Sequence, residues 1–157
     1  MAFDVRIQTE DFDVSHELAA LRAGDARVGA VCVFVGTVRD RNEGSGVSRM
    51  TLEHYPGMTE RSIAELIVKA RERFDVRGVR VIHRVGPLAL GEQIVLVAVT
   101  SAHRQQAFDC AAYLMDWLKT RAPFWKKEIA AGQGRWVDAR ESDEVAARRW
   151  QRSEDKA

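Results

Sequence analysis

The sequence has few cysteines, no long apolar run and no excess of either charge, and each shortage excludes a class of protein. Its only two cysteines, Cys32 and Cys110, lie in separate apolar runs without metal-ligand spacing, so we expect buried free thiols in a reducing compartment. The longest apolar runs, near 28–35 and 94–99, are shorter than the roughly 20 residues that a membrane-spanning helix needs. The first residues also lack the pattern of a secretory signal, and we expect a soluble, cytoplasmic protein.

The charges of the chain nearly cancel. Lysine and arginine total 24 and aspartate and glutamate total 23, which leaves a formal net charge of +1. No broad field therefore steers the protein toward nucleic acid or an anionic membrane, and any anion site must be local. An RNA-binding surface built on Arg39, Arg41, Lys126 and Lys127 is a competing hypothesis, but the low net charge and the scarcity of aromatic stacking residues argue against it.

What the chain does have is the composition of an ordinary globular protein. Hydrophobic residues make up 46% and charged residues 30% of its 157 positions, a size and balance that suit a single domain with one core. We predict that this domain spans residues 1–150 and that residues 151–157 form a flexible C-terminal tail.

Hydrophobic periodicity predicts strands interspersed with helices, which indicates an α+β fold with a mixed sheet and a long central helix. The runs 28–38 and 93–100 are apolar at both parities, so we expect two central strands covered on both faces. Residues 39–48 are polar and contain glycine, which predicts a loop. The other predicted elements are strands at 3–9, 49–55, 79–85, 124–129 and 135–138, and helices at 13–24, 58–74, 101–121 and 141–150.

The predicted helix at 101–121, capped by Ser101, holds the first candidate for chemistry. At about 100° per residue, Lys119 falls on the arc that Phe108 and Ala112 share with the other apolar side chains. Lys119 therefore lies on the face that the rest of the helix reserves for burial. A separate polar stripe, expected to face water, consists of Gln105, Gln106, Asp109, Asp116 and Thr120.

Different interpretations of Lys119 stay open on this pattern. One turn from the helix end, it could extend its ammonium past the apolar rim into water or cap the last carbonyls. Burial close to the further cations Lys126 and Lys127 would instead disfavour the protonated amine and favour a base or nucleophile. The same cluster could simply hold an anion, as in a non-catalytic phosphate- or nucleotide-binding module.

The other end of this helix carries His103 and Arg104, where a predicted strand runs into a helix N-terminus. Free backbone N–H groups and the positive end of the helix dipole favour phosphate there. The helix spans about 28–30 Å at 1.5 Å per residue, so its two ends cannot bind one small ligand within one chain. We therefore expect a site between two copies, with His103 and Arg104 of one facing Lys119 and Lys126 of the other.

The other motifs of the sequence carry little functional signal. His54 and His83 have no partners at ligand spacing, and we interpret them as sheet or surface histidines rather than metal ligands. A glycine-rich phosphate loop, a nucleophile elbow and a zinc motif are all missing from the sequence. We expect neither a metal nor a cofactor.

Five segments of the sequence together carry a family resemblance. They are Leu52-Glu-His-Tyr-Pro-Gly-Met-Thr59, Val81-Ile-His-Arg84, Thr100-Ser-Ala-His-Arg104, Lys119-Thr-Arg-Ala-Pro-Phe-Trp-Lys126 and Asp138-Ala-Arg-Glu-Ser142. In these segments, and in register over about residues 28–150, the chain closely resembles the large, catalytic subunit of molybdopterin synthase. The resemblance implies an α/β hammerhead fold and a homodimer. Each copy would bind a small ubiquitin-like subunit that ends in a glycine thiocarboxylate, which gives a heterotetramer.

The resemblance also implies an activity. That family of sulfurtransferases converts cyclic pyranopterin monophosphate to molybdopterin by two successive sulfur transfers from the thiocarboxylate, during molybdenum cofactor biosynthesis. Matched by position, Lys119 and Lys126 resemble the catalytic lysines. Arg140 is implied as a further contact for the substrate or for the small subunit's tail. The candidate substrate-binding residues implied by the same match are Thr37, Val38, Arg39, His103, Arg104, Lys127 and Glu128.

Overall fold

A computed structural model describes residues 2–42, 45–46, 49–130, 133–137, 147–148 and 150, and the side chains of 2–40, 49–124, 147, 148 and 150. The strands are β1 (Phe3–Gln8), β2 (Ala30–Thr37), β3 (Arg41–Asn42), β4 (Ser45–Gly46), β5 (Arg49–His54), β6 (Gly78–Arg84), β7 (Gly86–Ala89), β8 (Gln93–Ser101), β9 (Phe124–Ala130) and β10 (Gln133–Val137). The helices are α1 (Val14–Arg22), α2 (Met58–Arg73) and α3 (Arg104–Arg121).

The first sheet has four strands in the order β1-β6-β8-β2. β1 pairs with β6 in parallel, whereas β6 with β8 and β8 with β2 pair antiparallel. This sheet is therefore mixed, and the predicted α+β class is confirmed. As predicted, β8 is a central strand, and its residues 95–101 are all buried.

The second sheet is antiparallel, in the order β10-β9-β5-β7, and a separate two-stranded hairpin joins β3 to β4. Gly57, with φ of +85°, precedes α2, where its N–H donates to Glu60 Oε2 at 2.6 Å. This positive φ favours glycine, because a side chain at that position would strain the backbone. The Pro56-Gly57 turn thereby carries the chain from β5 into α2.

The main core lies between the first sheet and helices α2 and α3. It joins Ile63 and Ile67 of α2, Val81 and Val97 of the sheet, and Leu114 of α3, all at most 4% exposed. A smaller cluster on the opposite face of the sheet packs Leu21 of α1 against Ile82, Leu96 and Ala98. Both faces of β6 and β8 are thus covered by helices.

A buried ionic cluster holds α1 against the sheet. Asp13 caps the helix by accepting a hydrogen bond from His16 N at 2.9 Å. One turn on, Glu17 accepts bonds from Arg6 Nη2 at 2.6 Å and from Arg80 Nη1 at 3.0 Å. Burial alone would raise the pKa of Glu17, but these two guanidinium groups outweigh it and leave that pKa lowered.

The prediction that the strand at 28–38 is central and covered on both faces is wrong. β2 is an edge of its sheet, with β8 as its partner among the described residues. Val31 and Val33 are each 38% exposed on one face, and Phe34 is 41% exposed on the other. Periodicity could not separate these cases, because an apolar strand looks the same whether its own chain covers it or leaves it open.

Several smaller expectations also need correction. The loop predicted at 39–48 contains the β3–β4 hairpin, and β7 was missed because Gly86-Pro87 suggested only a strand end. The long helix begins at Arg104 with His103 as its N-cap, since Ser101 still belongs to β8. The predicted helix at 141–150 lies mostly outside the described residues, although 147, 148 and 150 are helical. The predicted tail at 151–157 lies wholly outside them.

Two further expectations concern cysteine and membrane spans. Both cysteines are free thiols, as predicted, and Cys110 is buried, but Cys32 is half-buried rather than buried as expected. Burial raises the pKa of the Cys110 thiol to about 12. Within the residues that the structure describes, no helix combines the length and the apolar character that crossing a bilayer requires.

Candidate functional site

β2 and α3 run side by side in the same direction, which puts Lys119 and Arg39 at the same end of the first sheet. Ala30, at the start of β2, pairs with Ser101 just before α3 begins. Thr37, at the end of β2, pairs with the opposite end of β8. Because α3 packs on both strands, its last turn returns to that end. Lys119 lies in this last turn, and Arg39 follows β2 by two residues.

Lys119 is exposed in the single chain, so the expectation that it shares a buried arc with Phe108 is wrong. Phe108 is itself 57% exposed. The apolar residues of α3 occupy two faces, and the sheet and α2 cover just one of them. The side chains on the covered face are Ala107, Cys110, Ala111, Tyr113, Leu114 and Leu118. The predicted polar stripe is partly covered too, since Asp116 accepts a hydrogen bond from Trp150 Nε1 at 2.6 Å.

Three residues, called the linker here, carry the chain from the helix of Lys119 into the second sheet: Ala122, Pro123 and Phe124, which is the first residue of β9. Phe124 N donates to the carbonyl of Ala122 at 2.8 Å, so the chain turns tightly there. β9 then pairs with β5 and β10, and the backbone of Lys126 lies opposite Leu52 and Val137. The side chains of Lys126, Lys127 and Glu128 lie outside the described ones, as does the whole of Arg140.

His83 of β6 lies under this linker. Its ring stacks on Phe124 with 3.9 Å between centroids and 19° between planes. Nδ1 donates to the carbonyl of Arg84 at 2.9 Å, which places the proton of the neutral ring on Nδ1. Burial lowers the pKa of His83 to about 4. The bond to Arg84 opposes this shift, and the positive charges of Lys119 and His54 add to it.

The candidate residues after β2 differ in what they can offer a ligand. Val38 is buried, its N–H donates to the carbonyl of Glu92 at 2.9 Å, and its own carbonyl accepts from Gly91 at 2.7 Å. The backbone of Val38 therefore fixes the end of β2, and its buried side chain is not accessible to a ligand in this arrangement. Thr37 and Arg39, on either side of it, are exposed.

His103 and Arg104 are exposed at the opposite end of α3. Eighteen residues at 1.5 Å per residue separate the helix ends by about 27 Å. The structure thus brings Lys119, Arg39 and the backbone of Lys126 to one end of the chain, and it leaves His103 and Arg104 at the other. The predicted separation of the two groups within one chain is confirmed.

Comparison with known proteins decides the family. The sequence profile of the MoaE protein family matches residues 7–121. The chain belongs to the MoaE protein family. The matched range contains Arg39, His103, Arg104 and Lys119 and ends before Lys126.

Relatives of this MoaE protein cover nearly the whole chain. A Ralstonia nicotianae protein named molybdopterin synthase catalytic subunit is 57% identical over 146 residues, which is 93% of this chain and 83% of that one. The solved molybdopterin cofactor biosynthesis protein E of Burkholderia multivorans is 47% identical, with a TM-score of 0.81 over 96% of this chain and 98% of that one. A Helicobacter pylori structure, a protein–protein complex of subunits 1 and 2 of molybdopterin-converting factor, shares the fold at 22% identity. Its TM-score is 0.70, over 87% of this chain and 90% of that one.

The described candidate side chains at this end of the MoaE fold include the cations Lys119 and Arg39. Within the described ranges, no group of three or more histidine, cysteine, aspartate or glutamate side chains is arranged to hold a metal ion. Sequence reasoning gave no role to Thr59, which donates to Pro123 of the linker, or to Phe124, the linker residue on which His83 stacks. Both lie inside segments that carry the family resemblance, and that was the signal available for finding them.

Proposed function

We propose that this chain is the catalytic subunit of a molybdopterin synthase. It converts cyclic pyranopterin monophosphate to molybdopterin with two sulfurs from the thiocarboxylated C-terminus of a small ubiquitin-like subunit. The observation that carries the proposal is the 57% identity, over 93% of this chain, to a protein named for that activity. The convergence of Lys119, Arg39 and the Lys126 backbone at one end of the fold supports it.

The two lysines supply the chemistry in this proposal. In each sulfur transfer a carbon–sulfur bond forms on the pterin while the carbon–oxygen bond at the same carbon breaks and the oxygen leaves with its electron pair. Water then cleaves the acyl–sulfur bond, which leaves the sulfur on the pterin and a carboxylate on the small subunit. Lys119 can accept the proton lost at the carbon that receives sulfur, or stabilise the oxyanion formed during cleavage. Its exposed position at the end of α3 gives a substrate direct access to the amine.

Substrate binding needs cations, because both the thiocarboxylate tail and the pterin phosphate are anions. Arg39 contributes a guanidinium beside the catalytic end, and the N-terminus of α3, with His103 and Arg104, contributes donors for phosphate. Thr37, Lys127 and Glu128 complete the proposed contacts from β2 and β9. Val38 contributes through its backbone, since its side chain is buried.

A dimer formed through the open edge of β2 would bring together opposite ends of α3, one end from each copy. Two β2 strands that pair antiparallel across a twofold axis place the start of one strand beside the end of the other. His103 and Arg104 of one copy then lie near Arg39 and Lys119 of its partner. The exposed side chains of Val31, Val33 and Phe34 are the apolar surface that such a contact would bury.

Two associations complete the proposal. Each copy binds one small thiocarboxylated subunit, which gives a heterotetramer, and the Helicobacter pylori relative forms a complex of subunits 1 and 2. We place the protein in the cytoplasm, where the reducing environment suits two free cysteines.

The test is reconstitution of the reaction. The chain, a thiocarboxylated small subunit and cyclic pyranopterin monophosphate are mixed, and molybdopterin is measured as its fluorescent oxidation product. We expect turnover with the wild-type chain and a loss of at least about a hundredfold with Lys119→Ala, as for removal of a general base or oxyanion donor. Lys69→Ala, at an exposed position of α2, is the matched control and keeps full activity.

Two results would contradict the proposal. An active Lys119→Ala enzyme would remove the lysine from the mechanism. Tight binding of the pterin without any turnover by the wild-type chain would favour the phosphate-binding module instead.

A further inference from the structure

The linker between Lys119 and Lys126 is held from two directions by residues outside the predicted site. It contains only Ala122, Pro123 and Phe124, the first residue of β9, yet it carries the chain from the last turn of α3 into the second sheet. The relative placement of the two lysines therefore depends on how firmly these three residues are fixed.

Thr59, at the start of α2, fixes the middle of the linker. Its hydroxyl donates to the carbonyl of Pro123 at 3.1 Å and accepts from the N–H of Tyr55 at 3.1 Å. Thr59 is fully buried at 0% exposure, and its own N–H donates to the carbonyl of Tyr55 at 2.9 Å. One buried hydroxyl thus ties the linker to the β5–α2 turn across 64 residues of sequence.

His83 fixes the end of the linker through its stack on Phe124. The backbone of His83 is held on both sides in the first sheet, by Ile7 of β1 and by Val95 of β8. Phe124 in turn pairs with His54 in the second sheet. The stack therefore connects the strand that carries Lys126 to a strand that is held on both sides.

We propose that Thr59 and His83 are positioning residues, which set the placement of Lys126 relative to Lys119. This inference rests on the proposed function, in which both lysines act on one substrate. A shift of about 1 Å in a catalytic group can reduce a rate by about a hundredfold. Thr59→Val keeps the size of the side chain but removes the hydroxyl that holds Pro123, and it should release the linker.

The Thr59 test separates positioning from stability. We expect Thr59→Val to lower kcat about ten- to a hundredfold with KM for the pterin changed less than about twofold. Thr59→Ser keeps the hydroxyl and should restore kcat to near the wild-type value. Thr100→Val is the matched control. Thr100 is buried like Thr59, but it lies near the C-terminal end of β8. Its hydroxyl has no hydrogen-bond partner among the described residues, so activity should be unchanged.

The His83 test asks whether the ring contact itself matters. His83→Phe keeps an aromatic ring against Phe124 and should retain activity within about twofold, whereas His83→Ala removes the stack and should lower kcat as Thr59→Val does. Thermal unfolding of each variant confirms that the chain is folded at the assay temperature.

Distinct outcomes overturn this inference and the proposed function. Wild-type kcat in Thr59→Val and His83→Ala, together with an inactive Lys119→Ala, would reject the positioning role and leave the function in place. A Thr59→Ser variant as slow as Thr59→Val would also reject it, since the hydroxyl would then not be the cause. An active Lys119→Ala variant would instead reject the function on which the inference rests.

Discussion

At the scale of single residues, the candidate site combines exposed cations with neutral, less exposed groups that contact the linker. Lys119 and Arg39 reach solvent, whereas Thr59 is buried and His83 is half-buried. A neutral His83 ring is favoured at this position, because a protonated ring would be repelled by the positive charge of Lys119. The low pKa of His83, about 4, keeps the ring neutral near pH 7.

The same pKa predicts how stability depends on pH. The unfolded chain binds a proton at His83 near pH 6.5, and the folded chain binds it only near pH 4. This contribution to stability is therefore complete above about pH 6.5 and is lost as the pH falls toward 4. Urea unfolding at pH 7 and pH 5 should show a larger loss of stability for wild type than for His83→Phe. Equal losses in the two proteins would mean that His83 titrates normally.

The buried carboxylate of α1 gives a second residue-scale prediction. Glu17→Gln removes the charge that faces Arg6 and Arg80, and it should destabilise the protein by about 3 kcal/mol, as breaking a buried ion pair does. Chemical denaturation measures this change. Asp25→Asn, which breaks the more exposed pair with Arg77, is the control and should have a much smaller effect. Similar effects of the two substitutions would contradict the structural role of the buried cluster.

At the scale of secondary-structure elements, β2 is the strand through which we propose that two copies pair. Its outer edge has no partner strand among the described residues, and its apolar side chains are exposed on both faces. A charge placed there should prevent edge-to-edge pairing, as charged residues do on natural edge strands. β2 is therefore the element to change when testing the dimer.

Light scattering at micromolar concentration provides that test. Val33→Lys should reduce the measured mass from that of a dimer toward the 17.7 kDa of one chain. Val68→Lys is the matched control, since Val68 is likewise an exposed valine but lies on α2, and its mass should stay that of the dimer. Should Val33→Lys remain dimeric, the interface lies elsewhere.

The elements also show which features the sequence could predict. The positions of the three described helices and of the longer strands followed from periodicity, because alternation and helical spacing report local geometry directly, whereas the short strands β3, β4 and β7 were missed. The edge position of β2 and the open face of Phe108 did not follow, since an apolar residue gives no sign of whether its own chain or a second chain covers it. The contacts of Thr59 with Pro123 and of His83 with Phe124 join distant segments, so no local pattern could report them.

At the scale of the whole molecule, the proposed function requires a site shared between two chains. The lysine group and the His103–Arg104 group lie at opposite ends of α3, about 27 Å apart. In the proposed twofold dimer there would be two such sites, and each would take its lysines from one chain and its phosphate donors from the other. A mixed dimer, in which one chain is substituted in the lysine group and the other in the His103–Arg104 group, should therefore contain one intact site.

Complementation between Lys119→Ala and Arg104→Ala measures this directly. Each variant alone should be nearly inactive in the reconstituted sulfur-transfer assay. When equal amounts are unfolded and refolded together, about half of the dimers are mixed and each mixed dimer has one intact site, so activity should recover to about one quarter of wild type. Recovery to that level supports a sulfur-transfer site built across two chains. A mixture no more active than the separate variants would contradict it.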